Sequence, residues 1–194
     1  KRFKHFFDSH QLPLFRAQLR IAASMSRPVS IHCVKADAGL VQTFQDSMAV
    51  NGDGLPPAIC LHSFAGSFET LKRIISIVEG NRRKSSGCGA GKETASAHVA
   101  PRVFVGFNAW TNLYKKGACD FVRQLVSDTA SGEVRMLIES DFDFPVYQGS
   151  CPRDADKILM NGVAALSEML GLEPVAVVHR LAENTRVFLR TLAA

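Results

Sequence analysis

Several features that would point to a well-defined protein class are missing from this chain of 194 residues. Its five cysteines contain no CxxC pair, which excludes the usual structural zinc–thiolate sites. No apolar run approaches the roughly 18–20 residues needed to cross a bilayer, so we expect no membrane span. No GxSxG motif is present either, which argues against a serine hydrolase with a nucleophile elbow.

The cysteines and the charge give a first indication of the environment. Cys33 and Cys60 lie inside apolar, β-rich segments, which predicts buried and reduced thiols. A reducing compartment follows, and we expect the cytoplasm, with the nucleus as the alternative. The formal net charge of +5 fits a polyanionic partner such as nucleic acid, although clustered Lys and Arg are usually solvated surface.

Short β-rich segments alternate with helical patterns along the whole chain. The β-rich segments are residues 29–33, 58–62, 103–107 and 135–141, and helical spacing is found at 10–26, 37–50, 67–78, 115–128, from 154 onward and after 174. Residues 80–101 are rich in Gly, Ser and Lys and lack an apolar period, which predicts a flexible insertion. We interpret residues 1–194 as one partial barrel domain.

The predicted fold is α/β with parallel strands, because apolar strands separated by helices need crossover connections. A TIM-type (β/α) barrel has eight such units in about 250 residues, so about four βα units would be its second half. A small doubly wound sheet is the alternative. The chain opens with a helix that no strand precedes, and we therefore expect it to begin inside a longer protein.

Three metal-ligating residue types occupy the predicted ends of these strands. His32 ends the first strand, His62 the second and Asp141 the fourth. In a parallel barrel the carboxyl ends of the strands share one rim, so these side chains should converge there. Two imidazoles and a carboxylate suit Zn, Mn or Mg. The structural alternative is two hydrogen-bonded core histidines and an aspartate that forms a turn.

Further candidates for substrate binding lie close to the same rim. Lys35 follows His32 by three residues and could steer a phosphate, while Asn108 and Trp110 follow the third strand. A loop cap and a packed Trp are equally consistent with the latter two residues.

Five segments carry a resemblance to a known family. They are FRAQLRIAASMSRPVSIHC, LHSFAGSFETLKRI, VFVGFNAW, MLIESD and LAENTRVFL, and together they resemble the TatD-related deoxyribonucleases over most of the chain. The resemblance implies a metal-dependent hydrolase that cleaves DNA phosphodiesters with a metal-activated water. It also implies that His32, His62 and Asp141 are metal ligands. Glu139 then becomes a catalytic candidate beside Asp141, as a residue that supports a ligand or orients the water.

The sequence departs from the family at other ligand positions. The family's His-x-His pair and its strand-four Glu have no counterpart here, and Ser140 replaces a Thr. Two alternatives therefore stay open: a non-catalytic truncated or scaffold member, and a metallohydrolase of small amides or esters. Half of a barrel would also leave open strand edges, so we expect this segment alone to be unstable, to dimerise, or to be part of a longer chain.

Overall fold

Strands and helices alternate in the computed structural model, which describes residues 7–49, 55–80, 102–128, 135–141 and 152–190. A π-helical turn, Phe7–Gln11, leads into α1 (Leu12–Ser24), and β1 (Val29–His32), α2 (Asp37–Ala49), β2 (Ala58–His62) and α3 (Phe68–Glu79) follow. The second group comprises β3 (Arg102–Phe107), a π-helical turn (Ala109–Leu113), α4 (Ala118–Asp128), β4 (Met136–Ile138), α5 (Pro152–Leu170) and α6 (Pro174–Arg190).

The four described strands form one parallel sheet in the order β1-β2-β3-β4. The predicted α/β class is therefore confirmed. Each strand pairs with its neighbour in sequence, as in a TIM-type barrel, whereas the strand order of a doubly wound sheet reverses partway. The barrel interpretation thus fits this topology better than the doubly wound alternative.

Both faces of the sheet are covered by apolar side chains. Ile59, Leu61 and Val105 point into the main core, where the helices pack around Phe44 and Leu166. The opposite face carries a smaller cluster, which consists of Ala58, Cys60, Phe104 and Leu137 and packs against Val187 and Phe188 of α6. This burial on both faces explains why the strands read as continuous apolar runs.

Local sequence signals account for several helix boundaries. The side chain of Ser67 accepts a hydrogen bond from the backbone N–H of Thr70 at 3.1 Å and is therefore the N-cap of α3. Pro174 is the first residue of α6, where its missing N–H leaves no hydrogen bond unmade.

An ion pair stabilises the amino ends of the strands. Oε1 of Glu79, at the end of α3, accepts from Nη1 of Arg135 at 2.6 Å and from the backbone N–H of Val103 at 2.9 Å. The Arg135 and Glu79 side chains are only 14% and 10% exposed, so the pair is largely shielded from water. This cluster joins α3 to the beginnings of β3 and β4.

Two predicted boundaries are wrong. The fourth strand was expected to reach Asp141 but ends at Ile138, because the chain turns after Glu139 and Asp141 adopts a left-handed backbone. The helix expected to begin at Lys115 begins at Ala118, after a π-helical turn that apolar periodicity did not predict. Except for Gly80, the predicted insertion lies outside the described residues.

No single helix in the described ranges is long and apolar enough to cross a membrane. Residues 154–170 and 174–189 meet the length and composition criteria only as a pair, and that pair is bent by 110°.

Candidate metal centre

The carboxyl ends of the strands bring the predicted ligands together. His32 and His62 are paired in register at the ends of β1 and β2, and their ring centroids lie 5.3 Å apart. Asp141 lies three residues beyond β4, and its Oδ1 is 3.3 Å from Nε2 of His62. The parallel sheet aligns the strand ends, so residues as far as 109 positions apart in the chain become neighbours.

A carboxylate holds His62 from the opposite side of its ring. Oε2 of Glu139 lies 2.9 Å from Nδ1 of His62, which is hydrogen-bonding distance. This contact favours a proton on Nδ1, and it leaves Nε2 facing Asp141 across a gap that a shared proton or a cation can fill. A second-sphere carboxylate of this kind commonly orients a metal-ligating histidine.

The other oxygen of Glu139 is fixed by Ser63. Oε1 accepts from the Ser63 backbone N–H at 2.6 Å and from its Oγ at 2.9 Å. The backbone N–H of Glu139 also donates to the Phe107 carbonyl at 3.0 Å. With both carboxylate oxygens occupied, Glu139 is better suited to orient His62 than to take a proton from water.

Gly106 provides the space that this carboxylate occupies. A Cβ atom at Gly106 would lie 2.5 to 2.8 Å from the carboxyl atoms of Glu139, closer than real Cβ contacts allow. Glycine inside a strand commonly marks such a close approach. The site therefore depends on a residue of β3 that contributes no side chain.

Backbone strain is concentrated at the same edge of the sheet. Lys35, Ser63 and Asp141 have φ angles of 54°, 45° and 52°, and each lies one to three residues after a strand end. Left-handed backbone costs non-glycine residues on the order of 1–2 kcal/mol. At Ser63 it lets the backbone N–H and the hydroxyl reach the same carboxylate oxygen.

The two predicted substrate contacts in the loop after β3 differ in their exposure to solvent. Asn108 is fully buried, and its Oδ1 accepts from the Trp110 backbone N–H at 2.7 Å, so its side chain serves as a loop cap. Trp110 is 65% exposed. Asn112 is buried and donates to the carbonyls of Gly106 and Phe64 at 2.9 and 3.3 Å. The structure thus makes Asn108 a support for the loop and leaves Trp110 at the surface.

The thiols near this edge are poor nucleophiles. Burial raises the pKa of the Cys60 thiol to about 12, and the nearby Glu139 carboxylate adds to the shift. Burial also raises the pKa of Cys33, with a further contribution from Asp37. Both cysteines are free thiols, as is Cys119.

The donor set has the chemistry of a divalent-cation site, although it is not a closed cage. Within the described ranges, no three His, Cys, Asp or Glu side chains already have the arrangement of a metal cluster. His62 and Asp141 present a nitrogen and an oxygen to each other, and His32 lies beside them. Imidazole and carboxylate donors, with a histidine fixed by a carboxylate, fit Zn or Mn.

Sequence reasoning missed the residues that support these candidate ligands. Ser63 immediately follows His62, and Gly106 interrupts an otherwise bulky strand, so both left a readable signal. Thr111 left none: its Oγ1 donates to Oγ of Ser63 at 3.0 Å across 48 positions of sequence.

A family model matches the part of the chain that contains both histidines. The model, described as TatD related DNase, matches residues 4–82.

Two curated yeast proteins match almost the whole chain. The Cut9-interacting protein scn1 of Schizosaccharomyces pombe is 23% identical over 205 residues, covering 93% of this chain and 51% of that protein. A Saccharomyces cerevisiae protein named as an uncharacterized deoxyribonuclease is 25% identical over 186 residues, covering 94% and 50%. The chain therefore spans about half the length of the curated relatives it matches.

A solved structure agrees with the fold. The crystal structure of an uncharacterized amidohydrolase from Saccharomyces cerevisiae superimposes with a TM-score of 0.58 at 16% identity, covering 92% of this chain and 59% of that one. At this identity the likeness concerns the fold alone. The family model and the relative named as a deoxyribonuclease confirm that the chain resembles the TatD-related deoxyribonucleases, as its sequence motifs indicated.

Proposed function

We propose that this chain carries the divalent-metal site of a hydrolase that cleaves phosphodiester bonds in DNA, with His32, His62 and Asp141 as ligands. The observation that carries the proposal is the fixed imidazole of His62. Its Nδ1 faces Glu139 at 2.9 Å, while its Nε2 faces Asp141 at 3.3 Å.

The ligand set suits a catalytic metal site better than a purely structural one. Three protein donors leave a position for water or substrate, as in catalytic zinc sites. A bound divalent cation would supply an acidified water and would stabilise negative charge on the phosphoryl oxygens. Zn and Mn fit the two imidazoles better than Mg does, since Mg prefers oxygen donors.

The side chains of this chain have distinct roles in the proposed hydrolysis. Water forms a new bond to phosphorus, and the bond from phosphorus to the leaving sugar oxygen breaks. Asp141 is the proton acceptor for that water, because its side chain is 46% exposed whereas both oxygens of Glu139 are engaged. The leaving oxygen takes its proton from solvent.

Two residues are proposed to contact the substrate. Lys35 is exposed and lies three residues past His32, where its charge can attract a phosphate. Trp110 is exposed at the carboxyl edge of β3. Asn108 acts only through the loop that it caps. Residues 1–194 are proposed to form one partial barrel domain of this hydrolase. The free, buried thiol of Cys60 supports a reducing compartment, the cytoplasm or the nucleus.

The test is metal-dependent cleavage of an end-labelled oligonucleotide after removal of bound metal with a chelator. We expect restored cleavage on addition of Mn²⁺ or Zn²⁺, and its loss in His62→Ala. His179→Ala is the matched control, because His179 is exposed on α6. Cleavage that persists in His62→Ala, or that resists chelation, would contradict the proposal.

A non-catalytic binding protein is the second candidate. One relative is named for its interaction with Cut9, and the described ligands do not form a closed cage. This alternative predicts that metal titration yields no saturable site and that no substrate is cleaved.

A metallohydrolase of small amides or esters is the third candidate, because the same ligand set would serve that chemistry. Parallel assays with an oligonucleotide and with amide and ester substrates separate it from a nuclease.

A further inference from the structure

Two aromatic side chains stand out of the loop that follows β3. Tyr114 is 70% exposed and Trp110 is 65% exposed, and Tyr114 is the most exposed large hydrophobic side chain in the described part of the molecule. The residues between and beside them show the opposite behaviour, since Ala109, Asn112 and Leu113 are buried. The loop thus inserts one side into the core and presents its aromatic residues to solvent.

The loop is held rigidly enough to present these rings. Asn112 donates to the carbonyls of Gly106 and Phe64, and its Oδ1 accepts from the Asn108 backbone N–H at 2.8 Å. Oδ1 of Asn108 accepts from the Trp110 backbone N–H in turn. A flat ring on an ordered backbone loses little conformational entropy when a ligand stacks on it.

A hydrogen-bond chain connects this loop to the metal centre. Thr111, the neighbour of Trp110, donates to Oγ of Ser63 at 3.0 Å, and Ser63 donates to the Glu139 carboxylate. Ser63 is also the residue directly after His62. The aromatic pair therefore belongs to the same rim as His62, Glu139 and Asp141.

Positive charge lies next to the aromatic pair. Lys115 and Lys116 directly follow Tyr114 and are exposed, and Asp120 is the nearest acid in the following sequence. Two exposed lysines that directly follow two exposed rings in the chain match a ligand that alternates flat bases with phosphates.

We propose that Trp110, Tyr114, Lys115 and Lys116 form a stacking platform for the unpaired bases of a single-stranded polynucleotide. The proposal rests on the function proposed above and deepens it by assigning the strandedness of the substrate and the residues that bind it. In a duplex the base faces are already stacked on one another, so only single strands and unpaired ends offer a face to Trp110 and Tyr114. The lysines contribute by contact with the phosphates on either side.

The single tryptophan of the chain makes a direct test available. Trp110 fluorescence is followed while an oligothymidylate is added to the protein in excess chelator, where no hydrolysis occurs. We expect saturable quenching by the single strand and much weaker quenching by an abasic strand of equal length or by a blunt duplex. Equal quenching by the abasic strand would overturn the proposal, because phosphates alone would then account for binding.

Variants separate stacking from charge. By anisotropy of a labelled oligothymidylate, we expect Trp110→Ala and Tyr114→Ala each to weaken binding about tenfold, and Tyr114→Phe to retain it. Lys115→Gln should reduce the salt dependence of binding, whereas Lys157→Gln on α5, whose side chain is 75% exposed, is the control and should not. Unchanged affinity in both alanine variants would refute the platform.

The result is distinguishable from failure of the proposed function. The alanine variants should keep the cation affinity of the unmodified chain, because neither side chain is a proposed ligand. Base-dependent binding without saturable cation binding would support the platform and remove the metal centre. Saturable cation binding with base-independent DNA binding would support the metal centre and rule out the platform.

Discussion

Each end of the sheet carries one partly buried glutamate, and the two glutamates have different surroundings. At the amino ends of the strands, Glu79 accepts from the Val103 backbone N–H and from Arg135. At the carboxyl ends, Glu139 accepts from Ser63 and faces His62. Both carboxylates connect two strands or their loops, so burial and hydrogen bonding alone do not tell them apart.

The partners and the backbone distinguish the two ends. Arginine stays charged at every accessible pH and binds no metal, whereas a neutral imidazole is a common metal ligand. Three of the four non-glycine residues with positive φ in the described chain also follow the carboxyl ends of strands. We interpret the amino end as a structural ion pair and the carboxyl end as a site that accepts strain in order to fix a ligand.

The largest expected effect is a loss of stability, without a loss of cation binding, on substitution of Glu79 at the amino ends of the strands. Glu79→Ala leaves Arg135 buried without its partner, and we expect the free energy of unfolding to fall by about 3 kcal/mol. Urea denaturation measures this, and cation affinity of the folded protein should stay unchanged. The control is Glu183→Ala, which removes an exposed i,i+3 pair with Arg186 and should cost under about 0.5 kcal/mol. Equal losses of unfolding free energy in the two variants would show that the Glu79–Arg135 pair contributes no more to stability than an exposed pair.

Gly106→Ala should affect both properties at the carboxyl end. The added Cβ would meet the Glu139 carboxylate at 2.5 to 2.8 Å, which forces that side chain to move. We expect a loss of about 2 kcal/mol in stability from overpacking. Calorimetry should also show about tenfold weaker cation binding, since His62 loses its orienting partner. Gly171→Ala cannot serve as the control, because the φ angle of Gly171 is 64° and an alanine there would be strained. The control is Ala23→Gly, which changes an ordinary helix position in α1.

Glu139→Gln should weaken cation binding with little loss of stability. The amide oxygen can still accept from Ser63, but the amide N–H₂ group then faces Nδ1 of His62 and favours the opposite tautomer. We expect cation affinity, measured by calorimetry, to fall roughly 10- to 100-fold. Retained affinity would show that Glu139 has no role in orienting His62.

The smallest effect tests the strain at Ser63. Ser63→Ala loses the hydroxyl bond to Glu139 but keeps the left-handed backbone, whereas Ser63→Gly relieves the strain as well. We expect the glycine variant to be more stable than the alanine variant by about 1 kcal/mol in thermal melts. Ser127, exposed in α4, should show the reverse order, because glycine lowers helix stability by about 1 kcal/mol relative to alanine.

The sequence predicted the positions of the candidate ligands better than the contacts that support them. The bounds of β2 and the cap at Ser67 follow from local patterns, and His32 and His62 follow from the alignment of parallel strand ends. The hydrogen bonds from Ser63 to Glu139 did not follow, since they join residues 76 positions apart and depend on the left-handed backbone of Ser63. The end of β4 was misplaced for a related reason: the apolar pattern shows where a strand is buried, whereas the turn to Asp141 depends on the neighbouring strand.

We propose that His32, His62 and Asp141 bind a divalent cation while Glu139 holds the other nitrogen of His62. Long-range ¹H–¹⁵N correlation spectra of the histidine side chains during Zn²⁺ titration test it most directly. The signals of a His32 nitrogen and of Nε2 of His62 should shift at stoichiometric Zn²⁺. Nδ1 of His62 should stay protonated, and His179 should not respond. Imidazole signals that do not change, or Zn²⁺ bound through Nδ1 of His62, would refute this metal site.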